Sequence, residues 1–481
     1  MTVRDLEPKA LWNHFADLNA VPRASKKEAQ VIQFMVDFGE KHGLDVSKDE
    51  IGNVLIKKPG SKGYEDRPVI VMQSHLDMVH QKNADTDFDF ATQGIDMFVE
   101  DDWVKARGTT LGADNGIGVA TIMSLLSSDD IAHPPLEALF TIDEETGMTG
   151  ALALKGGWLQ GKILLNLDTE DDRELTIGCA GGVDLTAKRT SEKEAVPAGM
   201  ESFEIKVAGL SGGHSGMDIH KGLANANKLM NRLLWKIRQD FGLRISSIQG
   251  GGLRNAIPRE SVATVCVPTG KVADWKKATE GRIAQMTKEY ETTDPQLQVH
   301  IKPVTPIEFI IQETMQDQVI AAIYAAPNGI YRMSPDIEHL VQTSNNIAKV
   351  SIDTASCEIL CLTRSSVDSE KFDLANALTA AFETAGFSVS QGGLYPGWAP
   401  APKSTLVEMM SNLYRELYSE EPHVNAIHAG LECGILSTNY PDFDMISFGP
   451  NIRGAHSPDE RCQVSSVQKY WGYLLEALKR V

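Results

Sequence analysis

No stretch of this 481-residue chain is apolar for long enough to cross a bilayer, which takes about 18 uninterrupted apolar residues. A membrane is therefore not an expected partner. The opening Met1-Thr-Val-Arg-Asp-Leu-Glu-Pro8 lacks the apolar core of a secretory leader, so a cytoplasmic location is expected. Cysteine is scarce: six residues, none in a Cys-x-x-Cys pair. That argues against a thiolate zinc knuckle and leaves reduced, buried thiols as the plain reading. Positive charge is short as well, with 46 Lys and Arg against 65 Asp and Glu, a net −19. Such a surface repels phosphate backbones, so no nucleic acid is expected to bind. What is present is an ordinary globular composition, 42% hydrophobic, in a chain too long for one core, so two or more domains are expected.

Ser25-Lys-Lys-Glu28 has the form of a capping box, with Val31, Ile32, Met35, Val36 and Phe38 following at helical spacing and Gly43 as a stop. Residues 53–57 and 69–72 read as strands, 115–126 as a helix, and 136–142 and 162–167 as buried strands. This alternation predicts an α/β domain, a mixed sheet with helices on both faces. From about 183 to 390 the strands alternate apolar and polar residues, as at 203–207 and 261–267, which predicts half-exposed antiparallel strands of an α+β domain. Helices at 222–240 and 273–290 are echoed by helices at 313–326 and 368–386. Asn255-Ala-Ile and Asn346-Ile-Ala sit at comparable places, which points to an internal duplication. The α/β texture returns after the Pro-rich Pro396-Gly-Trp-Ala-Pro-Ala-Pro402. Residues 1–182 and 391–481 are thus expected to form one domain, with 183–390 inserted.

The chemistry-bearing residues cluster at predicted strand ends. His75-Leu-Asp77 follows a buried strand, where an imidazole can ligate a metal and a carboxylate two residues on can orient it. The glycine-rich Gly108–Gly118 segment places Asp114 at the start of a helix; it has no phosphate-loop pattern. Asp143-Glu144-Glu145 crowds three acids after another strand. Such acids repel one another unless cations hold them ionised, and adjacent glutamates can divide the work between ligand and free base. Asp168 ends a further strand, and His456 lies in the loop Gly454-Ala-His-Ser. Alone, each also fits an ordinary role: a hydrogen-bonded strand-end histidine, a helix cap, a solvated acidic turn. Together His75, Asp114, Glu145, Asp168 and His456 offer nitrogen and oxygen ligands suited to a pair of zinc ions, with manganese or cobalt as alternatives.

These motifs, His75-x-Asp77, Gly112-Ala-Asp114-Asn-Gly, Asp143-Glu-Glu-Thr-Gly, Asp168 and Gly454-Ala-His456-Ser, resemble the co-catalytic zinc exopeptidases, the family that includes carnosinases, peptidase T and the glutamate carboxypeptidases. Trp103-Val-Lys-Ala-Arg-Gly-Thr-Thr-Leu-Gly-Ala-Asp-Asn-Gly116 and Ala429-Gly-Leu-Glu-Cys-Gly434 resemble its aminoacyl-histidine dipeptidase branch. The resemblance implies a catalytic domain with an inserted lid. In it Asp114 bridges two zinc ions, His75 and Asp168 complete one site, and Glu145 and His456 complete the other. It also implies that Asp77 steadies His75, that Glu144 is the general base, and that the peptide after Asp114 is cis. Gly209-Leu-Ser-Gly-Gly-His214-Ser-Gly matches the lid motif whose histidine stabilises the oxyanion, in several relatives from a partner subunit, so a homodimer stays open. Asn255 and Arg364 on the lid and Gly430 on the catalytic domain are implied substrate contacts; for Arg364 a surface ion pair is the alternative. The lid is long, like those doubled within one chain. The implied activity is hydrolysis of short peptides, Xaa-His dipeptides such as β-alanyl-histidine foremost. A tripeptidase, a carboxypeptidase or a deacylase is the alternative, and a zinc-dependent binding protein a remote one.

Overall fold

The computed structural model describes residues 2–481, which divide into two compact units. One comprises residues 2–178, Trp398–Ala426 and Leu431–Val481; the other comprises Cys179–Gly397 and Ile427–Gly430. Among the described residues, no helix is long and apolar enough to cross a membrane.

The first unit is built on an eight-stranded sheet. Four neighbouring strands at its centre, Leu136–Thr141, Ile70–His75, Ile163–Asn166 and Asp444–Ser447, run parallel. Parallel strands are covered on both faces and read as continuous apolar runs. Accordingly, every residue of Leu136–Thr141 and of Ile70–His75 is buried. Their registers align the carboxyl ends: His75 lies opposite Thr141, and Asn166 opposite Ser447. The turns that follow therefore leave one edge of the sheet side by side, the edge where open α/β sheets bind ligands. Leu11, Trp12 and Phe15 of helix Lys9–Asn19 pack with Ile117 and Ala120 of helix Ala113–Ser127. This packing fixes the helix that begins at the glycine-rich segment. The predicted capping box does not form. The helix is Ala29–Lys41, without a side-chain cap, and Ser25 Oγ instead donates to the carbonyl of Met78 at 3.1 Å.

The second unit holds a nine-stranded sheet, antiparallel throughout. It is the same motif built twice. One half runs strand Met200–Ala208, helix Ala226–Phe241, strands Arg244–Gly251 and Ser261–Pro268, helix Val272–Glu289 and strand Gln298–Pro303. The other runs strand Gly181–Thr190, helix Glu313–Ala325, strands Val341–Ile352 and Ser356–Ser365, helix Asp368–Thr384 and strand Ser388–Tyr395. In each half the fourth strand lies beside the first, then come the third and the second, the split β-α-β arrangement of ferredoxin-like folds. The two second strands pair, Ile248 opposite Ile352, and make the sheet continuous. The two asparagine motifs are not equivalent positions. Asn255 lies between two strands of one half, while Asn346 lies within a strand of the other and donates to the carbonyls of Arg254 and Ala256. Residues 182 and 390 both fall inside strands that pair with each other, Gly181–Thr190 and Ser388–Tyr395. Their ladder carries the unit out to Cys179 and Gly397.

Candidate active site

At the carboxyl edge of the first unit's sheet, the turns after Ile70–His75, Leu136–Thr141 and Ile163–Asn166 bring together His75, Asp77, Glu144, Glu145 and Asp168. The first turn of helix Ala113–Ser127 adds Asp114, and the loop between strands Ile452–Arg453 and Arg461–Gln463 adds His456. Asp114 lies between the histidines. Its Oδ1 is 3.2 Å from His75 Nε2 and its Oδ2 is 3.3 Å from His456 Nε2. Asp168 Oδ1 stands 3.5 Å from His75 Nε2, and Glu145 Oε2 stands 3.0 Å from His456 Nε2. Two groups of three donors thus share one carboxylate. The Asp114–Asn115 peptide is cis, and Asn115 Nδ2 donates to the carbonyl of Leu167 at 2.6 Å, just before Asp168. Asp143 and His456 are non-glycine residues at positive φ, +51° and +64°, and such backbone is held only where its surroundings impose it.

Asp77 does more than steady a ring. His75 Nδ1 faces both its backbone oxygen, at 3.2 Å, and its Oδ1, at 3.4 Å. The same carboxylate accepts the backbone N–H of Glu144 at 3.0 Å and of Glu145 at 3.3 Å. One buried side chain therefore orients a histidine and seats the acidic turn.

The electrostatics are those of crowded acids. Burial disfavours a charged His75, but the Asp168 charge and hydrogen bonds to Asp114, Asp168 and Asp77 outweigh it and hold the ring well above its usual value. Hydrogen bonds to Asp114 and Glu145 push His456 up to about 11. Burial lifts Asp168 to about 6 despite His75. Burial also lifts Glu144 well above the carboxylate range, with Asp168, Glu145 and Glu432 adding to it against His75. The donor set itself tests whether cations fit. Glu145 Oε1 is buried without a hydrogen-bond partner, Asp168 Oδ1 has only His75 Nε2 at 3.5 Å, and ligand atoms of His75, Asp114 and Glu145 lie within 4.8 Å of one another. Nitrogen and oxygen donors in this arrangement suit divalent ions, and the orphaned Glu145 oxygen would gain a partner.

Family membership follows from the sequence that carries this geometry: residues 71–480 match the pattern described as peptidase family M20/M25/M40. The chain belongs to this family. It is 42% identical over 476 residues to the cytosol non-specific dipeptidase of Escherichia coli, covering 99% of this chain and 98% of that one. It is 40% identical to the aminoacylhistidine dipeptidase of Vibrio alginolyticus, whose crystal structure superposes with a TM-score of 0.94 over 100% of this chain and 98% of that one. The fold extends to the aminopeptidase PepT of Bacillus cereus, 16% identical, with a TM-score of 0.57 over 98% of each chain.

The other candidates, His214, Asn255, Arg364 and Gly430, belong to the second unit. Gly430 had been expected on the catalytic domain. It groups here because Ala180 N donates to the carbonyls of Ile427 and Ala429, and His428 Nε2 meets Ser344 Oγ at 2.7 Å. His214 Nδ1 accepts the backbone N–H of Gly216 at 3.2 Å and of Met217 at 3.0 Å. Its ring proton therefore sits on Nε2, and burial with the nearby Arg364 charge keeps the ring neutral by lowering its pKa. Arg364 is no surface ion-pair residue. It is 5% exposed, donates through Nη1 to Tyr395 Oη at 2.7 Å, and leaves Nε buried without a partner. The Asn255 side chain is exposed, and its carbonyl accepts Ser215 N at 2.8 Å.

Sequence reasoning missed Glu432, although its motif had been singled out. Its Oε2 accepts Gln73 Nε2 and Thr141 Oγ1, both at 2.6 Å, while Oε1 is buried and unpaired. Burial raises it to about 7, opposed by His75 and Thr141 and reinforced by Asp168 and Asp77. It joins the ends of the two strands that lead into His75 and the acidic turn. The signal was one acidic residue in an apolar motif, which nothing in sequence tied to those strands.

Proposed function

We propose that the chain hydrolyses dipeptides with a pair of divalent cations held by His75, Asp114 and Asp168 on one side and by Asp114, Glu145 and His456 on the other. The observation that carries this is Asp114, whose two carboxylate oxygens each face a different histidine. The relatives named dipeptidases, matched over nearly the whole chain, support the reaction.

Bound there, the cations would supply Lewis acidity and ease the ionisation of water. Glu144 takes the proton of the attacking water and passes it to the leaving amine. Its high pKa without cations means that their charge must also keep it ionised as a base. Asp77 holds His75 by its far ring nitrogen and seats the Glu144 backbone, so a single carboxylate sets ligand and base together. His214 offers its Nε2–H to the developing oxyanion, as a neutral donor whose tautomer is fixed by two backbone amides. Arg364, already desolvated and short of acceptors, binds the substrate carboxylate with the backbone at Gly430, and Asn255 contributes a further contact. The first unit, expected at 1–182 and 391–481 but bounded at Gly178, Trp398–Ala426 and Leu431, is the catalytic part in this reading, and the unit with the doubled sheet is the lid.

Zinc is the assigned metal, with manganese and cobalt as substitutes, since the donors are nitrogen and oxygen alone. Xaa-His dipeptides, β-alanyl-histidine among them, are placed within the substrate range, and the Vibrio alginolyticus relative is named for that class. The cytosolic Escherichia coli relative supports a cytoplasmic location, and sedimentation velocity tests the homodimer. The deciding assay is a panel of dipeptides, tripeptides and N-acetyl amino acids on chelated chain reloaded with zinc, manganese or cobalt. Dipeptide turnover restored by metal is expected. Full activity after chelation, or preference for the acetylated compounds, would overturn the reading.

A further inference from the structure

We propose that Glu460 and Arg23 form a buried clamp that sets the position of Asp114 and ties together the loops bearing His75, Asp114 and His456. The inference rests on the reading above for the ligand roles of those residues.

Four consecutive backbone N–H groups end on one carboxylate. Leu111 N and Gly112 N donate to Glu460 Oε2 at 2.8 and 2.9 Å; Ala113 N and Asp114 N donate to Oε1 at 2.7 and 3.3 Å. These amides open helix Ala113–Ser127, where no intrahelical acceptor reaches them and a negative charge is favoured. Only a carboxylate offers acceptors on both arms at this reach; an amide would turn a donor toward two of the four. Glu460 is 2% exposed, so water does not substitute.

The opposite side of the same loop is held by Arg23, also 2% exposed. Its Nη2 donates to the Gly112 carbonyl at 2.5 Å and to Asn19 Oδ1 at 3.0 Å. Its Nη1 donates to the carbonyls of Leu76 and Asp77, each at 3.1 Å. One planar guanidinium thus bridges the His75–Asp77 turn and the Asp114 loop. Gly112, at φ +69°, and Gly116 leave room for it: a Cβ would lie 2.5 Å from Nη2 at the first and 2.6 Å at the second. This gives two glycines of the Gly108–Gly118 segment a specific reason. Glu460 also anchors the third loop, because it lies four residues beyond His456 and its N–H closes on the Ser457 carbonyl at 3.0 Å. Both residues act through backbone, so they are positioning residues. Ligand geometry tolerates little error, and partners behind the ligands govern metal affinity.

The test uses the full chain with Glu460→Gln, which keeps the shape, and Arg23→Lys, which keeps the charge but not the fork. Zinc affinity is read by chelator competition, kcat and KM on a dipeptide at saturating zinc, and amide exchange on the metal-free chain. Each variant is expected to bind zinc on the order of 10- to 100-fold more weakly. It should lose kcat with KM within about twofold, and exchange faster at 111–114 while the central strands stay protected. Wild-type zinc affinity in both variants would overturn the clamp. Should Glu460→Gln lose protection throughout, Arg23→Lys decides by the same readings. Global unfolding of both without metal overturns positioning in favour of plain structural support. Asp114→Ala separates the two claims. Retained zinc there sinks the ligand assignment; its loss there, with native affinity in both clamp variants, sinks only the clamp.

Discussion

Loading the site with zinc should expel protons, and the number can be worked from the geometry. Without cations, His456 is held at about 11 by Asp114 and Glu145, and His75 well above its usual value by Asp168, Asp114 and Asp77. Both rings are therefore cationic at neutral pH, standing in for the positive charge the acids need. Ligation requires neutral imidazole, so binding displaces both protons, and a rise in pH favours binding. Each proton released adds one unit to the slope of log K against pH; with one imidazole per ion, the overall constant for the pair should rise by about four decades between pH 6 and pH 8, about two per ion. Asp168, at about 6, steepens the lower end of that range, because its remaining proton must leave as well. Titration calorimetry in two buffers of different ionisation enthalpy counts the protons, and chelator competition at pH 6, 7 and 8 gives the slope. Release of fewer than one proton at pH 7, with log K nearly flat in pH, would refute the arrangement of imidazoles facing shared carboxylates.

Glu144→Gln should keep its zinc, measured by metal analysis, and lose dipeptide turnover by roughly 10²- to 10⁴-fold; activity within tenfold of wild type would remove Glu144 from the base role. Arg364→Lys keeps the charge but loses the fork. A loss of about 2 kcal/mol corresponds to a roughly 30-fold rise in KM with kcat nearly kept, and an unchanged KM would contradict carboxylate binding. His428 is buried beside Arg364 and His214, and burial drives it down to about 3 from an ordinary 6.5. The unfolded chain therefore binds the extra proton between those values. Stability is full above pH 6.5 and falls as the pH drops, by about 1.4 kcal/mol per unit, or about 2 kcal/mol by pH 5. Urea midpoints of wild type and His428→Gln compared across that range should converge as the pH falls; parallel curves would contradict a neutral buried ring.

Much of the fold was legible where local pattern and environment agree. The apolar runs at 69–72, 136–142 and 162–167 became the central parallel strands because burial on both faces demands such runs. Strand Val341–Ile352 was not read, because its first half, Gln342-Thr-Ser-Asn-Asn346, is polar and looks like a loop. It is buried all the same: Asn345 donates to the Pro327 carbonyl, Asn346 to those of Arg254 and Ala256, and Thr343 Oγ1 meets Ser365 Oγ. The repeat was faint because the first strand of one half, Gly181–Thr190, precedes the whole of the other half. Ser25 illustrates the reverse error: a local cap pattern lost to a tertiary partner, the Met78 carbonyl.

By itself, the sequence determined the residue types and their local settings: His75, Asp77, the paired glutamates and Asp168 at or just past the ends of apolar runs, Asp114 at a glycine-rich helix start, and His456 in a loop. Those choices are local, since a buried strand and the turn that ends it are written in neighbouring residues. Tertiary structure alone decided which oxygen of Asp114 faces which ring, that Asp77 also seats the Glu144 backbone, and that Glu432, Glu460 and Arg23 stand behind the site. Those contacts join residues far apart in the chain, and only the sheet's register and the packing of helix Ala113–Ser127 bring them within hydrogen-bonding distance.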